Sequence, residues 1–187
     1  FNTFTKTGVD PHVYPGACAG DLDQGGLGAI DATNNKFLII VYRMNDAVDG
    51  AYGGFFANSA PLVNMDVYNA SGEWEAILID LSNAQNWTGN VNWFRFEAFD
   101  DNIATASVDV DYVAVYASAE DAIADFESTG DDTTGDDTTG DDTTGDDTTS
   151  DNAAWRWDPE IDGYSSYNSL TAVDGDSFTT FTKTGVD

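Results

Sequence analysis

The chain is poor in positive charge, in histidine and in cysteine, and each shortage removes a class of function. Six lysines and arginines stand against 34 aspartates and glutamates, a formal net charge of −28. Such a surface repels nucleic-acid phosphates and anionic membrane surfaces at ordinary salt, so no nucleic-acid partner is expected. The one histidine, His12, stands beside Pro11 in a stretch that reads as a loop, and no Ser-His-Asp or Cys-His arrangement can be built around it. Carboxylates are so numerous that pairs of them carry no information, because glycosidase carboxylates are defined by separation in space. The reading is therefore not an enzyme, with no cofactor required. The one cysteine, Cys18, cannot close an internal disulfide and reads as a small buried hydrophobe or as a link between copies. No apolar run approaches the ~18 residues of a membrane span, so no membrane insertion is expected in this segment.

What is present is enough apolar and aromatic side chain, 41% and 13% of residues, to bury a core. Residues 36–43, 51–57, 62–68, 73–80, 91–99 and 105–116 read as strands separated by turn residues such as Asn34-Asn35 and Ser71-Gly72. Ser118 to Phe126 reads as a two-turn helix, with Ser118 as N-cap and Glu120 and Asp121 placed where the helix dipole favours acids. The expected fold is all-β: an antiparallel, jelly-roll-like β-sandwich over residues 1–127 with one short helix.

From Gly130 the chain reads GDDTT four times, and residues 128–150 form an extended low-complexity linker. It has nothing large to bury, and paired aspartates every fifth residue repel one another. Twenty such residues at about 3.1–3.3 Å each span roughly 60 Å. The threonines, Thr133, Thr134, Thr138, Thr139, Thr143, Thr144, Thr148 and Thr149, are candidate O-glycosylation sites, since dense clusters of hydroxyls outside a fold are typical acceptors and bulky glycans would stiffen the chain. A plain spacer is the alternative.

The ten residues FNTFTKTGVD at 1–10 recur as FTTFTKTGVD at 178–187, with only Asn2 and Thr179 different. The chain thus reads as a window on a tandem array with a period of 177 residues, the separation of Phe1 and Phe178. Residues 151–187 are too apolar for a tail and too few for a core. Trp155, Trp157, Tyr164, Tyr167, Leu170, Phe178 and Phe181 are expected to make inter-repeat contacts, as the opening strands of the next repeat's sandwich. A complete domain would join residues 151–187 of one copy to residues 11–127 of the next, placing 151–187 far from 11–127 of their own copy.

Trp74, Asp80-Leu81-Ser82, Trp87-Thr88-Gly89, Arg95-Phe96 and Asp109-Val110-Asp111-Tyr112, followed by the acidic helix, occur in that order over residues 72–126. This pattern resembles the C-terminal half of carbohydrate-binding-module-like, jelly-roll sandwich modules of large secreted bacterial surface proteins. The resemblance implies such a fold in an extracellular or cell-surface protein and leaves sugar binding open.

Four further readings concern sites. Asp21 and Asp23 on a glycine turn, and Asp174 and Asp176, offer oxygen ligands for calcium or form plain Asp-Gly turns. Strict alternation puts Asp109 and Asp111 on the face of Val113 and Val115, with Arg95 as the expected ion-pair partner. The five tryptophans are either core or a sugar-stacking platform, and strand spacing favours core. Asn69 and Asn86 head short N-glycosylation sequons. The expected function is that of a structural repeat in an extracellular fibre, whose partners are neighbouring copies, covalent or held by strand addition. A carbohydrate-binding or adhesive module is the alternative.

Overall fold

The structure is a computed structural model and describes residues 1–6, 11–16, 18–44, 54–64, 72–97, 99, 106–128, 152–167, 170–174 and 181–183. Its strands, in chain order, are β1 (Asn2–Lys6), β2 (His12–Pro15), β3 (Ile30–Asp31), β4 (Phe37–Met44), β5 (Gly54–Ala57), β6 (Ala60–Asn64) and β7 (Trp74–Asp80), then β8 (Asn90–Val91), β9 (Phe94–Glu97) and β10 (Ser107–Tyr116). The helix α1 (Ala119–Ser128) follows, and beyond the low-complexity run come β11 (Trp155–Trp157), β12 (Tyr164–Tyr167), β13 (Leu170–Asp174) and β14 (Phe181–Lys183).

The two longest apolar strands, β4 and β10, pair antiparallel at the centre of a sheet ordered β13-β1-β10-β4-β7-β14. The near end of β10 pairs with β1 and its far end with β11, so these two lie end to end along one edge. A second sheet, β12-β2-β9-β5-β6, faces it, and β3 with β8 forms a small third ribbon. The result is an all-β sandwich, antiparallel apart from the β14–β7 pair, with one short helix among the described residues.

The chemistry of β4 explains its central place. Leu38, Ile40, Tyr42 and Met44 point into the sandwich interior with Val13, Phe55, Phe94 and Phe96, while Ile39 and Val41 point outward beneath α1. A strand buried on both faces reads as an unbroken apolar run. Ala122 and Phe126, one turn apart on α1, cover this outer face against Tyr112, Ala114 and Tyr116. The helix starts where the sequence places it: Ser118 Oγ accepts the Asp121 amide at 3.1 Å and donates to the Asp121 carboxylate at 2.7 Å.

Two sequence expectations are corrected here. The stretch 91–99 is not one strand: Asn90–Val91 joins β3, Phe94–Glu97 joins the second sheet, and Asn92 between them gives its carbonyl to the Leu22 amide at 2.9 Å. His12 lies on a strand, not a loop, buried between β12 and β9 and edge-on to Tyr14 at 5.0 Å. Its pairing partner on one side comes from residues 164–167, so nothing local in the sequence signals the strand.

A third correction concerns β10. Its register against β4 shifts between Val110 and Tyr112, making Asp111 the extra residue of a β-bulge. The bulge inverts the alternation, so Val108, Val110, Val113 and Val115 all face the interior while Tyr112, Ala114 and Tyr116 face the helix. Asp109 is consequently turned away from the interior. Arg43 Nε and Nη2 donate to one of its oxygens at 2.9 and 2.7 Å, and Thr3 Oγ1 donates to the other at 2.5 Å. Arg95, the partner expected from sequence, instead pairs with Glu97 and lies over the Phe56 ring at 3.9 Å.

Burial raises the Asp111 carboxyl to about 7, and the nearby Asp158 carboxylate adds to the effect. A carboxyl raised above its unfolded value of about 3.9 binds its proton more tightly in the fold, so stability is lost as pH rises from about 4 to about 7. Asp111→Asn removes this loss. It is expected to raise stability at pH 7.5 by on the order of 2 kcal/mol, the full shift being discounted for partial access to water, and to leave it nearly unchanged at pH 4. Urea melts of both proteins at the two pH values check this.

Candidate functional site

The feature that sets this sandwich apart is a seam, along which residues 152–174 close a fold begun by residues 1–128. The Ala154 amide donates to Val115 O at 2.8 Å, and Trp155–Trp157 then runs antiparallel along Val113–Val115. Alternation sends Trp155 and Trp157 inward, where Trp155 meets Phe94 edge-on at 5.7 Å and Trp157 lies 6.5 Å from Phe4. The same alternation sends Arg156 outward. Its guanidinium lies over the Tyr112 ring at 3.7 Å and donates to Asp125 of α1 at 3.3 Å; the Tyr116 hydroxyl donates to that same carboxylate oxygen. Burial pushes the Tyr116 hydroxyl above the usual tyrosine range, so it remains a donor.

A turn then reverses the chain. The Asp158 amide donates to the Asp162 carboxylate at 2.8 Å, the Asp162 amide returns to Asp158 O at 2.8 Å, and Gly163 takes a positive φ of 73°. Gly163 O accepts both the Trp157 indole N–H at 2.8 Å and the Gly16 amide at 3.1 Å, which pins the turn to the second sheet. Beyond it, β12 pairs antiparallel with β2, and β13 pairs antiparallel with β1. Tyr164 packs edge-on against Phe4 at 5.2 Å.

The expectation that residues 151–187 pack on residues 11–127 of the next copy concerns an array, whereas the structure holds a single chain. In that chain Trp155, Trp157 and Tyr164 pack on their own copy, and β12, β13 and β14, which carry Tyr167, Leu170 and Phe181, pair with it. The physical reason is that an apolar segment too small to fold alone takes the one complementary surface available, and a long intervening stretch adds only slowly to the entropy of closure. Phe178 lies outside the described residues.

The other sequence candidates are scattered. Asp21 caps its own turn, accepting the Gln24 amide at 3.0 Å and the Gln24 side-chain amide at 2.6 Å, while Asp23 is exposed. The side chain of Asp174 and the whole of Asp176 lie outside the described residues. Among the described residues no three His, Cys, Asp or Glu side chains gather as a metal site. Asn86 is exposed and its side-chain amide donates to Pro61 O at 2.8 Å. Asn69 and all eight linker threonines lie outside the described residues. Cys18 is half-buried and free. No helix among the described residues is long and apolar enough to cross a membrane.

Four tryptophans, Trp74, Trp87, Trp155 and Trp157, are buried. Trp93 is half-buried, edge-on to Tyr14 at 5.5 Å, with its indole N–H donated to Ala19 O at 3.1 Å. Gly20 lies against this pair with φ of 90°, and a Cβ there would come within 2.6 Å of the Trp93 indole nitrogen. The Asp80-Leu81-Ser82 motif closes β7: Asp80 accepts the Ser82 amide at 2.8 Å, hydrogen bonds from the Ser82 hydroxyl and then this amide hold its carboxyl below the usual range, and Leu81 is buried.

The chain matches no family model, no curated protein and no solved structure. The seam was missed by sequence reasoning as an intrachain feature, although the need of residues 151–187 for a packing partner was visible in their tryptophans and tyrosines.

Proposed function

We propose that the chain is a structural repeat unit of an extracellular fibre, in which sandwich beads are joined head to tail by extended, O-glycosylated Asp-Thr linkers. The observation that carries this reading is the seam: the strands that follow the linker supply Trp155 and Trp157 to a sandwich made by the residues that precede it. In an array with the 177-residue period, the surfaces that a lone chain joins to itself are joined between consecutive copies, and each linker bridges two beads. The neighbouring partner is another copy of the same chain. The acidic surface keeps such a polymer soluble.

The burial of four tryptophans supports a bead over a sugar-binding platform, because a stacking platform needs aromatic faces open to solvent. Among the described residues the Tyr14–Trp93 pair favours the carbohydrate-binding alternative. The reading is tested on assembled material by denaturing electrophoresis and by mass spectrometry of linker peptides. A covalent array runs far above the mass of one copy, and its linker peptides carry hexose-sized additions on threonine. A single band at one-copy mass with unmodified threonines contradicts it.

A further inference from the structure

We propose that the position between β10 and β13 is a strand-exchange seat, and that residues 179–183 occupy it interchangeably with Asn2–Lys6. This rests on the repeat reading of the chain, and it comes from the pairing register rather than from the sequence match alone. Asn2 faces Asp174, Thr3 faces Val173, Phe4 faces Ala172, Thr5 faces Thr171 and Lys6 faces Leu170. Advancing β1 by the 177-residue period turns these partners into Thr179–Asp174, Thr180–Val173, Phe181–Ala172, Thr182–Thr171 and Lys183–Leu170. Counted along the sequence, that register leaves four residues, Gly175-Asp176-Ser177-Phe178, between the two runs, a common hairpin loop length rich in turn-forming residues. A period chosen without regard to the fold would place the two strands out of phase or leave no turn between them. On its other side the seat leads directly into β2, which begins six residues after Lys6. The seat is therefore where a chain running from β13 into the β2 of a next copy has to pass.

The side chains that hold β1 recur in the second copy. Phe4 is fully buried against Trp157 and Tyr164, Thr3 donates to Asp109 at 2.5 Å, and Thr5 lies 3.0 Å from the Ser107 hydroxyl. Their counterparts are Phe181, Thr180 and Thr182. The single difference falls on Asn2, whose amide donates to Pro159 O at 3.0 Å, and Thr179 offers a hydroxyl donor there. By contrast, β14 rests on the outer edge of β7 in a parallel pairing of only three residues, Phe181–Trp74, Thr182–Glu75 and Lys183–Ala76. Short edge pairings of that kind are the weakest in a sheet and are readily given up.

The test is a double-mutant cycle in the full-length chain, read by thermal unfolding. If either copy fills the seat, Phe4→Ala and Phe181→Ala each lower Tm by no more than about 2 °C, because the intact copy takes over. The double variant empties the seat of any phenylalanine and falls by about 10 °C or more, as expected for loss of a buried phenylalanine in a domain of this size. The milder pair Phe4→Leu and Phe181→Leu repeats the cycle should the double alanine variant fail to fold. A fall for Phe4→Ala equal to that of the double variant, with Phe181→Ala silent, overturns the proposal, as does simple additivity of the two. The fibre reading fails on different evidence, the mass of the assembled material, so the two failures are distinguishable.

Discussion

Cut after Ser128, the chain is expected to lose its cooperative unfolding transition. The truncation removes β11 to β14 and with them Trp155 and Trp157, both buried in the sandwich interior. Emptying one such tryptophan position costs about 3–5 kcal/mol, so two together consume most of the roughly 5–15 kcal/mol that holds a domain folded. The loss does not stop at packing. The far end of β10 loses its partner on one edge, β2 loses its partner on one edge, and Asp125, buried on the helix, loses Arg156. Near-UV circular dichroism and urea titration of residues 1–128 should show a broad, uncooperative transition. A sharp transition close to that of the full chain would mean that residues 152–187 decorate the sandwich rather than complete it.

Arg43→Ala is expected to cost about 3 kcal/mol, while Arg95→Ala costs about 1–2 kcal/mol, the worth of a half-buried ion pair and a contact with the Phe56 ring. Arg43 holds Asp109 through two donors, and the Asp109 side chain is only 3% exposed, so removing the guanidinium leaves a carboxylate with no cation in a site that excludes water. The same guanidinium lies within 5.1 Å of the Phe1 ring and 4.9 Å of the Trp74 ring, so packing is lost along with charge. Arg95 spans a short pair with Glu97 on its own strand and touches no buried carboxylate among the described residues. Chemical denaturation of both variants beside the parent protein separates them. Equal losses would contradict the assignment of Asp109 to Arg43.

Those two arginines also show where sequence reasoning reaches its limit. Local pattern located the strands at 36–43, 73–80 and 105–116 and the helix after Ser118, because each strand is an apolar stretch bounded by turn residues and the helix carries its own cap. Alternation failed at Asp111, since one extra residue in a strand reverses every side chain beyond it and composition does not mark a bulge. His12–Pro15 was invisible for a related reason: its partners on both sides come from elsewhere in the chain, Glu97 and Phe96 on one and Tyr164 to Tyr167 on the other. The candidate seam was half visible. Trp155 and Trp157 announce a segment that needs a core, but only pairing shows that Val113 to Val115 receives them and that Asn2–Lys6 sits in phase with the strand that follows.

We propose that residues 151–187 of one copy and residues 11–127 of the next form one continuous module. A two-copy chain cut by protease within both GDDTT linkers tests this directly, because cleavage yields a central fragment made of residues 151–187 of the first copy running into residues 11–128 of the second. This fragment is expected to separate from the two end pieces on gel filtration and to retain a single cooperative melt at the temperature of the uncut protein. A central fragment that is unfolded when freed, or folded only while bound to the end pieces, would contradict the proposal.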